Sequence, residues 1–329
     1  MLNGKSILVT GGTGSFGHQF VSYVLAHYEP KKIIIYSRDE YKQFVMQNEY
    51  KNHPQADKLR FFIGDVRDKE RLYRAFDGVD YVVHAAALKQ VPSCEYNPME
   101  AVKTNINGAM NIVDAALDCG VKRVVALSTD KAVNPINLYG GTKLVSDKLF
   151  IAANAYAGEK DVNFSIVRYG NVAGSRGSVI PFFRNIVDNG GTSLPITDYR
   201  MTRFWISLEQ GVELVIKALS EAKGGETFIS KIPSFKITDL AQAILPGCDM
   251  PEIGIREGEK LHEIMVTRED SMLTYEYDKH FIVYPHFDWW DTNKIQAGGK
   301  RVEQGFEYSS GTNTEWLSIE QIRERLQMK

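Results

Sequence analysis

The sequence has few cysteines and lacks any long apolar run, and both features narrow what the protein can be. Cys94, Cys119 and Cys248 are scattered and lack metal-ligand spacing, which argues against a disulfide framework and a zinc site. The chain has no apolar stretch of the roughly 18 to 20 residues that a membrane span needs, and it starts without a basic segment followed by an apolar one. We therefore predict no bound metal, no membrane contact and a cytoplasmic location.

An excess of charge of one sign is also missing. The 329 residues include 39 Lys and Arg and 41 Asp and Glu, for a formal net charge of −2, and 43% are hydrophobic. This balance gives no reason to expect nucleic acid as a partner, and the chain is long enough for one large domain or two of modest size. We also find no internal repeat and no low-complexity segment.

Apolar strands and helical patterns alternate along the chain, as a parallel sheet requires. The pattern predicts an α/β fold: a Rossmann-type doubly wound parallel sheet with a smaller C-terminal α/β substrate-binding domain. Residues 1–168 would form the first domain, rejoined by 204–230, and residues 169–203 and 231–329 the second. The tail beyond residue 278 shows little periodicity, and we predict only that it covers another part of the fold. After the sixth strand a glycine-rich loop is expected at 169–178, and a further helix is expected to open at the charged segment 255–263.

A glycine motif directly follows the first predicted strand. Residues 5–17 read Lys-Ser-Ile-Leu-Val-Thr-Gly-Gly-Thr-Gly-Ser-Phe-Gly, and a helical pattern comes next. Glycine permits a tight turn and lets the backbone approach a pyrophosphate, which the N–H groups and dipole of the helix N-terminus attract. Followed by a second strand, this arrangement is a dinucleotide-binding fingerprint.

The end of the second predicted strand indicates which dinucleotide binds. An acidic residue at the strand tip would bind the 2′-hydroxyl of NAD, whereas arginine suits the 2′-phosphate of NADP. Ser37 and Arg38 therefore favour NADP, and Lys42 could assist. In the alternative, Arg38 is an ordinary surface arginine and Asp39 binds the ribose of NAD.

Several side chains that are capable of acid/base chemistry lie in residues 128–143, directly after the fifth predicted strand. If Tyr139 opens a helix, Lys143 lies one turn further on the same face, where its ammonium favours the phenolate. Tyr139 is then a candidate base for an alcohol proton. Asp130 and Lys131 add a second acid/base pair that alcohol oxidation alone would not require. In the alternative, the segment is a turn followed by a solvated helix end.

Other polar or small residues lie near the carboxyl ends of the strands, where ligands bind in such sheets. Asp65 could meet the adenine amino group or cap a helix, and Lys89 could bind an anion or remain a solvated loop lysine. Arginines alternate with aromatic and hydroxyl residues between 195 and 205. That mixture suits a nucleotide diphosphate, although it also suits a surface hairpin.

The chain resembles the extended short-chain dehydrogenase/reductase superfamily along its whole length. The matching features are the glycine motif, Asp65, Asn105, the Tyr139 and Lys143 pair, and Arg-Tyr-Gly-Asn at 168–171. Within it, Ser-Thr-Asp-Lys-Ala at 128–132, Tyr-Arg-Met-Thr-Arg-Phe-Trp at 199–205 and Arg-Glu-Gly-Glu-Lys-Leu-His-Glu at 256–263 are similar to the inverting UDP-N-acetylglucosamine 4,6-dehydratases of pseudaminic acid biosynthesis. Glucose-type dehydratases carry Asp-Glu in place of Asp130-Lys131, and membrane-bound retaining dehydratases typically carry methionine in place of Tyr139.

The resemblance implies a mechanism in which NADP takes a hydride from C4, returns it to C6 and stays bound. Tyr139, helped by Lys143, would remove the C4 hydroxyl proton, and Ser128 or Thr129 would hold the C4 oxygen. Lys131 would remove the C5 proton as an unprotonated amine, its pKa lowered by burial or nearby positive charge. Asp130 would protonate the departing C6 hydroxyl, and reprotonation of C5 from the opposite face would give the L-arabino product.

The resemblance also implies two sets of binding residues and a partner. NADP would be held by Gly11, Thr13, Gly14, Ser15, Phe16, Gly17, Ser37, Arg38, Lys42, Asp65, Val66, Ala85, Ala86, Asn105, Tyr139 and Lys143. UDP-N-acetylglucosamine would be held by Lys89, Asn171, Thr197, Met201, Arg203, Arg256 and Glu259, with the arginines at pyrophosphate or uracil and Glu259 at the ribose. A homo-oligomer is expected, with a hexamer as one form. The alternatives are a related sugar-nucleotide 4-epimerase, a dehydratase that also epimerises, and a catalytically silent NADP-binding scaffold.

Overall fold

The computed structural model describes residues 1–174 and 178–327; residues 175–177 of the predicted glycine-rich loop lie outside the described residues. The strands are β1 Ser6–Thr10, β2 Lys32–Ser37, β3 Leu59–Ile63, β4 Tyr81–His84, β5 Arg123–Thr129, β6 Asn163–Tyr169, β7 Thr202–Phe204, β8 Thr227–Ser230, β9 Ser234–Lys236, β10 Ile264–Val266, β11 Thr274–Glu276, β12 His280–Val283, β13 Lys300–Arg301 and β14 Tyr308–Ser309. The α-helices are α1 Ser15–His27, α2 Glu40–Glu49, α3 Lys69–Phe76, α4 Val91–Tyr96, α5 Pro98–Val102, α6 Gly108–Cys119, α7 Leu138–Tyr156, α8 Val179–Asp188, α9 Leu208–Glu221, α10 Ile237–Ile244 and α11 Ile319–Arg325. A π-helical turn, Lys103–Asn107, joins α5 to α6.

A large, mostly parallel sheet with helices on both faces confirms the predicted fold class. Its parallel strands run in the order β3-β2-β1-β4-β5-β6-β8, so the strand order reverses around β1. Side chains alternate between the two faces of a strand. Ile7 of β1 packs in the layer of α1 and α9, whereas Leu8 packs in the layer of α3, α6 and α7. Burial of both faces explains why the central residues of β1, β2, β4 and β5 are apolar, whereas the edge strand β3 is partly exposed.

The C-terminal part of the chain differs from its prediction in two places. Residues 274–301, expected in the smaller domain, instead contribute β11, β12 and β13 to the large sheet, and β12 covers the edge of β8 by antiparallel pairing. The segment after Glu263 is not a helix but the strand β10, which pairs with β14. Neither feature has a local signal, because the pairings of β12 with β8 and of β10 with β14 join segments that are distant in sequence and leave no periodic pattern.

A separate apolar cluster joins α8, α10 and α11, with Ile180, Phe183 and Leu240 at its centre. The small sheet of β7 and β9 lies beside this cluster and carries Arg203. Among the described residues, the structure contains no helix that is long and apolar enough to cross a membrane. The division of the chain into two domains stays a prediction.

Candidate active site

A cavity of about 660 Å³ lies at the carboxyl ends of the parallel strands. Its wall contains most of the residues predicted to act on or bind ligands, namely Gly11, Thr13, Gly14, Ser15, Phe16, Ser37, Arg38, Lys42, Asp65, Val66, Ala85, Ala86, Lys89, Ser128, Thr129, Lys131, Tyr139, Lys143, Asn171, Arg203, Arg256 and Glu259. Folding therefore gathers into one cavity residues that are up to about 250 positions apart in the sequence.

The glycine motif forms the turn between β1 and α1 at one end of the cavity. Gly11 has a φ of +64°, and a Cβ there would lie 3.0 Å from the backbone of Ala86. Only glycine fits such a close approach in this conformation. Gly14 is the N-cap of α1, which leaves the first N–H groups of the helix open towards the cavity. Gly17 does not line the cavity, because its Cα packs against the backbone of Gly12.

The tip of β2 carries a cluster of charges at the ribose end of the cavity. Asp39 is the N-cap of α2, and its carboxylate accepts the backbone N–H of Lys42 and pairs with the Lys42 ammonium at 2.9 Å. The hydrogen bonds from Lys42 lower the pKa of Asp39. Arg38 lies 3.7 Å from Asp65, whose carboxylate also receives two hydrogen bonds from the Arg67 guanidinium. Two cations, Arg38 and Lys42, thus face this end of the cavity.

The N-terminal turn of α7 carries Tyr139 and Lys143. Asn137 caps this helix, since its side chain accepts the N–H of Gly140 at 2.7 Å, and Tyr139 and Lys143 follow on one buried face. Burial raises the pKa of Tyr139 to about 12, although the charge of Lys131 and a hydrogen bond from Thr129 oppose the rise. Burial lowers the pKa of Lys143, against the attraction of Asp147.

The two hydroxyls at the end of β5 have different surroundings. Ser128 donates a hydrogen bond at 2.5 Å to Asp147, a buried carboxylate one turn beyond Lys143 on α7. Thr129 donates to Asp130 at 2.9 Å, and its hydroxyl is also close enough to Tyr139 to lower the pKa of that phenol. Ser128 is therefore engaged with Asp147, and Thr129 is the hydroxyl associated with Tyr139.

Lys131 is the centre of a buried ionic cluster. Its Nζ lies 3.0 Å from Asp130 Oδ1, 3.1 Å from Asn171 Oδ1 and 3.3 Å from Glu263 Oε1. Three acceptors use all three N–H groups of an ammonium. Burial alone would lower the pKa of Lys131, but Asp130 and Glu263 outweigh it and raise the pKa. The prediction of a lowered Lys131 pKa is therefore wrong, because the adjacent Asp130 and the distant Glu263 together outweigh the effect of burial.

The pKa values of the two carboxylates in this cluster are shifted in opposite directions. Burial, followed by repulsion from Glu263, raises the pKa of Asp130, which is completely buried. The pKa of Glu263 is lowered despite burial, because Lys131, Arg203 and Lys260 attract its negative charge. Asp130 is therefore the carboxyl group in the cluster that holds a proton most readily. It stands directly behind the cavity wall rather than in it.

The far end of the cavity is rich in cations. Arg203 donates to the carbonyl oxygen of Thr202 at 2.7 Å and pairs with Glu259 at 3.2 Å. Lys89 and Lys260 also line the cavity, and burial lowers the pKa of both. Together with Arg256, these side chains form a surface that suits a diphosphate.

Besides Gly17, three predicted ligand-binding residues lie outside the cavity wall. Asn105 is buried, and its amide bonds both backbone groups of Leu88 and the hydroxyl of Thr142, so it ties the loop after β4 to α7. Thr197 and Met201 are buried against each other. Their side chains support the segment that precedes β7. The described residues contain no cluster of His, Cys, Asp or Glu that could hold a metal ion.

Three residues of the site, Asp147, Lys260 and Glu263, were not predicted from the sequence. Asp147 continues the spacing of Tyr139 and Lys143 along α7, so helical periodicity could have revealed it. Lys260 and Glu263 sit in a charged loop, and Glu263 is 132 residues from Lys131. No local pattern predicts that contact.

Comparisons with known proteins show which family the chain is similar to. A family model described as polysaccharide biosynthesis protein matches residues 7–285. Over 328 residues, the chain is 55% identical to a Campylobacter jejuni UDP-N-acetylglucosamine 4,6-dehydratase (inverting), covering 98% of this chain and 97% of that protein. It is 41% identical to a Rickettsia akari UDP-glucose 4-epimerase, covering 98% and 95% of the two chains.

Solved structures share the architecture as well. Pen from Bacillus thuringiensis matches with a TM-score of 0.89 and 38% identity, covering 99% of this chain and 98% of that one. A double mutant of DesIV, a dTDP-glucose 4,6-dehydratase from Streptomyces venezuelae with NAD and DAU bound, matches with a TM-score of 0.68 and 26% identity, covering 78% and 86%.

Proposed function

The chain belongs to the polysaccharide biosynthesis protein family and to the extended short-chain dehydrogenase/reductase superfamily, and from this we propose that it is a C5-inverting UDP-N-acetylglucosamine 4,6-dehydratase. The observation that carries the proposal is the ion pair between Lys131, which lines the cavity together with Tyr139, and the buried Asp130 directly behind the cavity wall. Oxidation needs only Tyr139 and its partners, whereas elimination of water also needs an acid and a base. The product is a 4-keto-6-deoxy sugar nucleotide of L-arabino configuration, an intermediate towards pseudaminic acid.

The enzyme uses a nicotinamide dinucleotide, and the residues present fit one. The turn at Gly11 and Gly14 offers backbone N–H groups to a pyrophosphate, and Ala85 and Ala86 allow close approach. We infer that the cofactor is NADP, because Arg38 and Lys42 line the ribose end and the carboxylate of Asp39 is already engaged by Lys42. When bound, the cofactor supplies the hydride acceptor for C4 and the hydride donor for C6.

The first proton transfer belongs to Tyr139. Its phenolate accepts the proton of the C4 hydroxyl, and the charge of Lys131 favours the phenolate against the burial that raises its pKa. Lys143 follows on the same buried face of α7, and we propose that it assists Lys131 in this role. We propose that Thr129 orients the C4 oxygen, because it is the hydroxyl beside Tyr139, whereas Ser128 is bonded to Asp147. The Thr129 hydroxyl donates to Asp130 and would turn from it to the substrate. The 4-ketone formed in this way acidifies the C5 proton.

Elimination then requires an amine and a carboxylic acid from a pair that starts as an ion pair. Moving one proton from Lys131 Nζ to Asp130 Oδ1, across 3.0 Å, produces both at once without changing the net charge. The Lys131 amine accepts the C5 proton, and Asp130 donates its proton to the departing C6 hydroxyl, which leaves as water. The raised pKa of Asp130, caused by burial and Glu263, supports its assignment as the acid.

At the other end of the substrate, we propose that Arg203, Arg256 and Lys89 bind the diphosphate. All three side chains face the cavity. Arg203 is held in place by two backbone carbonyl groups, so its guanidinium is oriented before substrate binds. Glu259 and Asn171 also line the cavity, and we propose that they bind the ribose and the sugar. A cytoplasmic location and a homo-oligomeric state stay predictions.

The test is nuclear magnetic resonance of the product formed from UDP-N-acetylglucosamine in deuterated water. We expect a 4-keto-6-deoxy product with deuterium at C5 and inverted C5 configuration. The second candidate is a 4-epimerase, which the identity to the Rickettsia akari protein favours. Formation of the C4 epimer without deuterium at C5 would establish it instead, and absence of any turnover would revive the silent scaffold.

A further inference from the structure

Glu263 places a second carboxylate in the elimination centre. Its Oε1 lies 3.3 Å from Lys131 Nζ and 3.7 Å from Arg203 Nε, and its side chain is only 2% exposed although it forms part of the cavity wall. The Oε2 atom is buried without a hydrogen-bond partner among the described residues. A carboxylate that is kept dry next to a catalytic amine interacts with it far more strongly than one at the surface.

The backbone fixes this carboxylate where it stands. The Glu263 N–H donates to Ser310 Oγ at 2.9 Å, and the Ser310 N–H donates to the Glu263 carbonyl oxygen at 2.8 Å. Glu263 thus enters β10 at its pairing with β14, so the C-terminal segment of the chain sets its position. Arg203, itself clamped by the carbonyl groups of Thr202 and Leu261, holds the side chain from the other side.

We propose that Glu263 is a positioning residue of the elimination step. It is a fixed buried anion that holds Lys131 Nζ against Asp130 and balances the positive charge of the Lys131 ammonium. This inference rests on the proposed function. Glu263 acts through Lys131 and Asp130, and its negative charge makes each of them hold a proton more tightly. The raised pKa values of Asp130 and Lys131, to which Glu263 contributes in both cases, support this direction.

The other charged and titratable groups around the cluster come from several elements. Arg203 on β7 and Lys260 in the loop before β10 face Glu263, and both oppose its effect on the pair. Tyr139 on α7 and Lys89 in the loop after β4 sense the charge of Lys131. None of these groups replaces the negative charge that Glu263 supplies.

The decisive variant is Glu263→Gln, which keeps the shape and an acceptor oxygen but removes the charge. Asp130 and Lys131 work as a pair that shares one transferable proton. The pair is therefore inactive at low pH, where both groups are protonated, and at high pH, where neither is. Removing an anion lowers the pKa of each neighbour. Both limbs of the pH profile of kcat should therefore move to lower pH, by roughly one unit or more, while KM stays within about twofold.

Two comparison variants separate charge from structure. Glu259 lies in the same loop as Glu263, and its carboxylate also pairs with Arg203 but does not contact Lys131. Glu259→Gln should therefore raise KM and leave the pH profile of kcat at its wild-type position. Glu263→Asp keeps the charge but draws it back from Lys131, so its profile should stay near the wild-type pH while kcat falls about tenfold. Thermal denaturation of each variant reports folding.

The outcomes distinguish the inference from the function on which it rests. If wild-type protein makes no 4-keto-6-deoxy sugar, the proposed function fails. If wild type is active and the Glu263→Gln profile keeps its position on the pH axis, only the role of Glu263 is overturned. If Glu263→Gln does not fold, the Glu263→Asp variant tests the role of Glu263 instead. A wild-type kcat in Glu263→Asp would overturn that role, and a tenfold loss of kcat at unchanged KM would support it.

Discussion

The proposed preference for NADP can be tested at Arg38, at the tip of β2 where the ribose of the cofactor is expected. A charge-assisted hydrogen bond contributes about 1.5 to 3 kcal/mol, and the exposure of Arg38, 54% of its side chain, moves the value towards the lower limit. Because about 1.4 kcal/mol corresponds to a tenfold change in binding, Arg38→Ala should weaken NADP binding roughly 10-fold to 30-fold. NAD lacks the 2′-phosphate, so its affinity should change less than about threefold.

Asp39→Asn is a matched variant with the opposite expected sign. Asp39 caps α2 through a hydrogen bond from the Lys42 N–H, and asparagine caps helices equally well. The substitution therefore leaves the helix intact but removes a negative charge close to Lys42 and the expected 2′-phosphate. NADP binding should become severalfold tighter, while the free energy of unfolding stays within about 0.5 kcal/mol of wild type.

Isothermal titration of both dinucleotides, after removal of any copurified nucleotide, measures these effects. Raising the salt concentration should weaken NADP binding more than NAD binding, because exposed charges are screened. Equal weakening of NADP and NAD by Arg38→Ala would refute the reasoning, as would tighter binding of NAD than of NADP to the wild-type protein. In either case Asp39, despite its pairing with Lys42, would be the ribose ligand.

Two further predictions concern the chemistry and the turn that supports it. Lys131→Ala should abolish deuterium entry at C5, and unchanged entry would remove Lys131 from the base role. Gly140→Ala should destabilise the fold by about 2 kcal/mol or more, because a Cβ there would lie 2.0 Å from the carbonyl oxygen of Lys131. Gly141→Ala, whose Cβ would meet nothing within 4 Å, should instead stabilise the helix by about 0.5 to 1 kcal/mol. Equal shifts in Tm for the two glycine variants would contradict the packing argument.

Sequence patterns predicted the parallel sheet well because its strands are buried on both faces and its helices are strongly periodic. The strand Ser6–Thr10 leads directly into the glycine motif, and the fifth strand, Arg123–Thr129, ends at the segment of Asp130 and Lys131, as predicted. Prediction failed where strands are short and pair at long range. The three residues Ile264–Val266 carry no signal that distinguishes a strand from the first turn of a helix, and only pairing with β14 decides between them.

Asn105 illustrates a second limit of sequence patterns. A polar residue near the middle of a helical pattern predicts either a ligand contact or exposure to solvent. In the structure, Asn105 is buried and its amide joins Leu88 to Thr142. Only the three-dimensional neighbourhood shows that a buried amide has satisfied its hydrogen bonds within the protein.

The sequence by itself determined the features that depend on neighbours along the chain. The glycine turn, the Tyr139 and Lys143 spacing and the Asp130-Lys131 pair are each set within a few residues, and they are enough to indicate oxidation followed by elimination. The tertiary structure alone decided the charge state of that pair. Glu263 reaches Lys131 from 132 residues away, and its carboxylate at 3.3 Å adds to that of the adjacent Asp130, so that the two together outweigh the burial that would otherwise lower the pKa of Lys131.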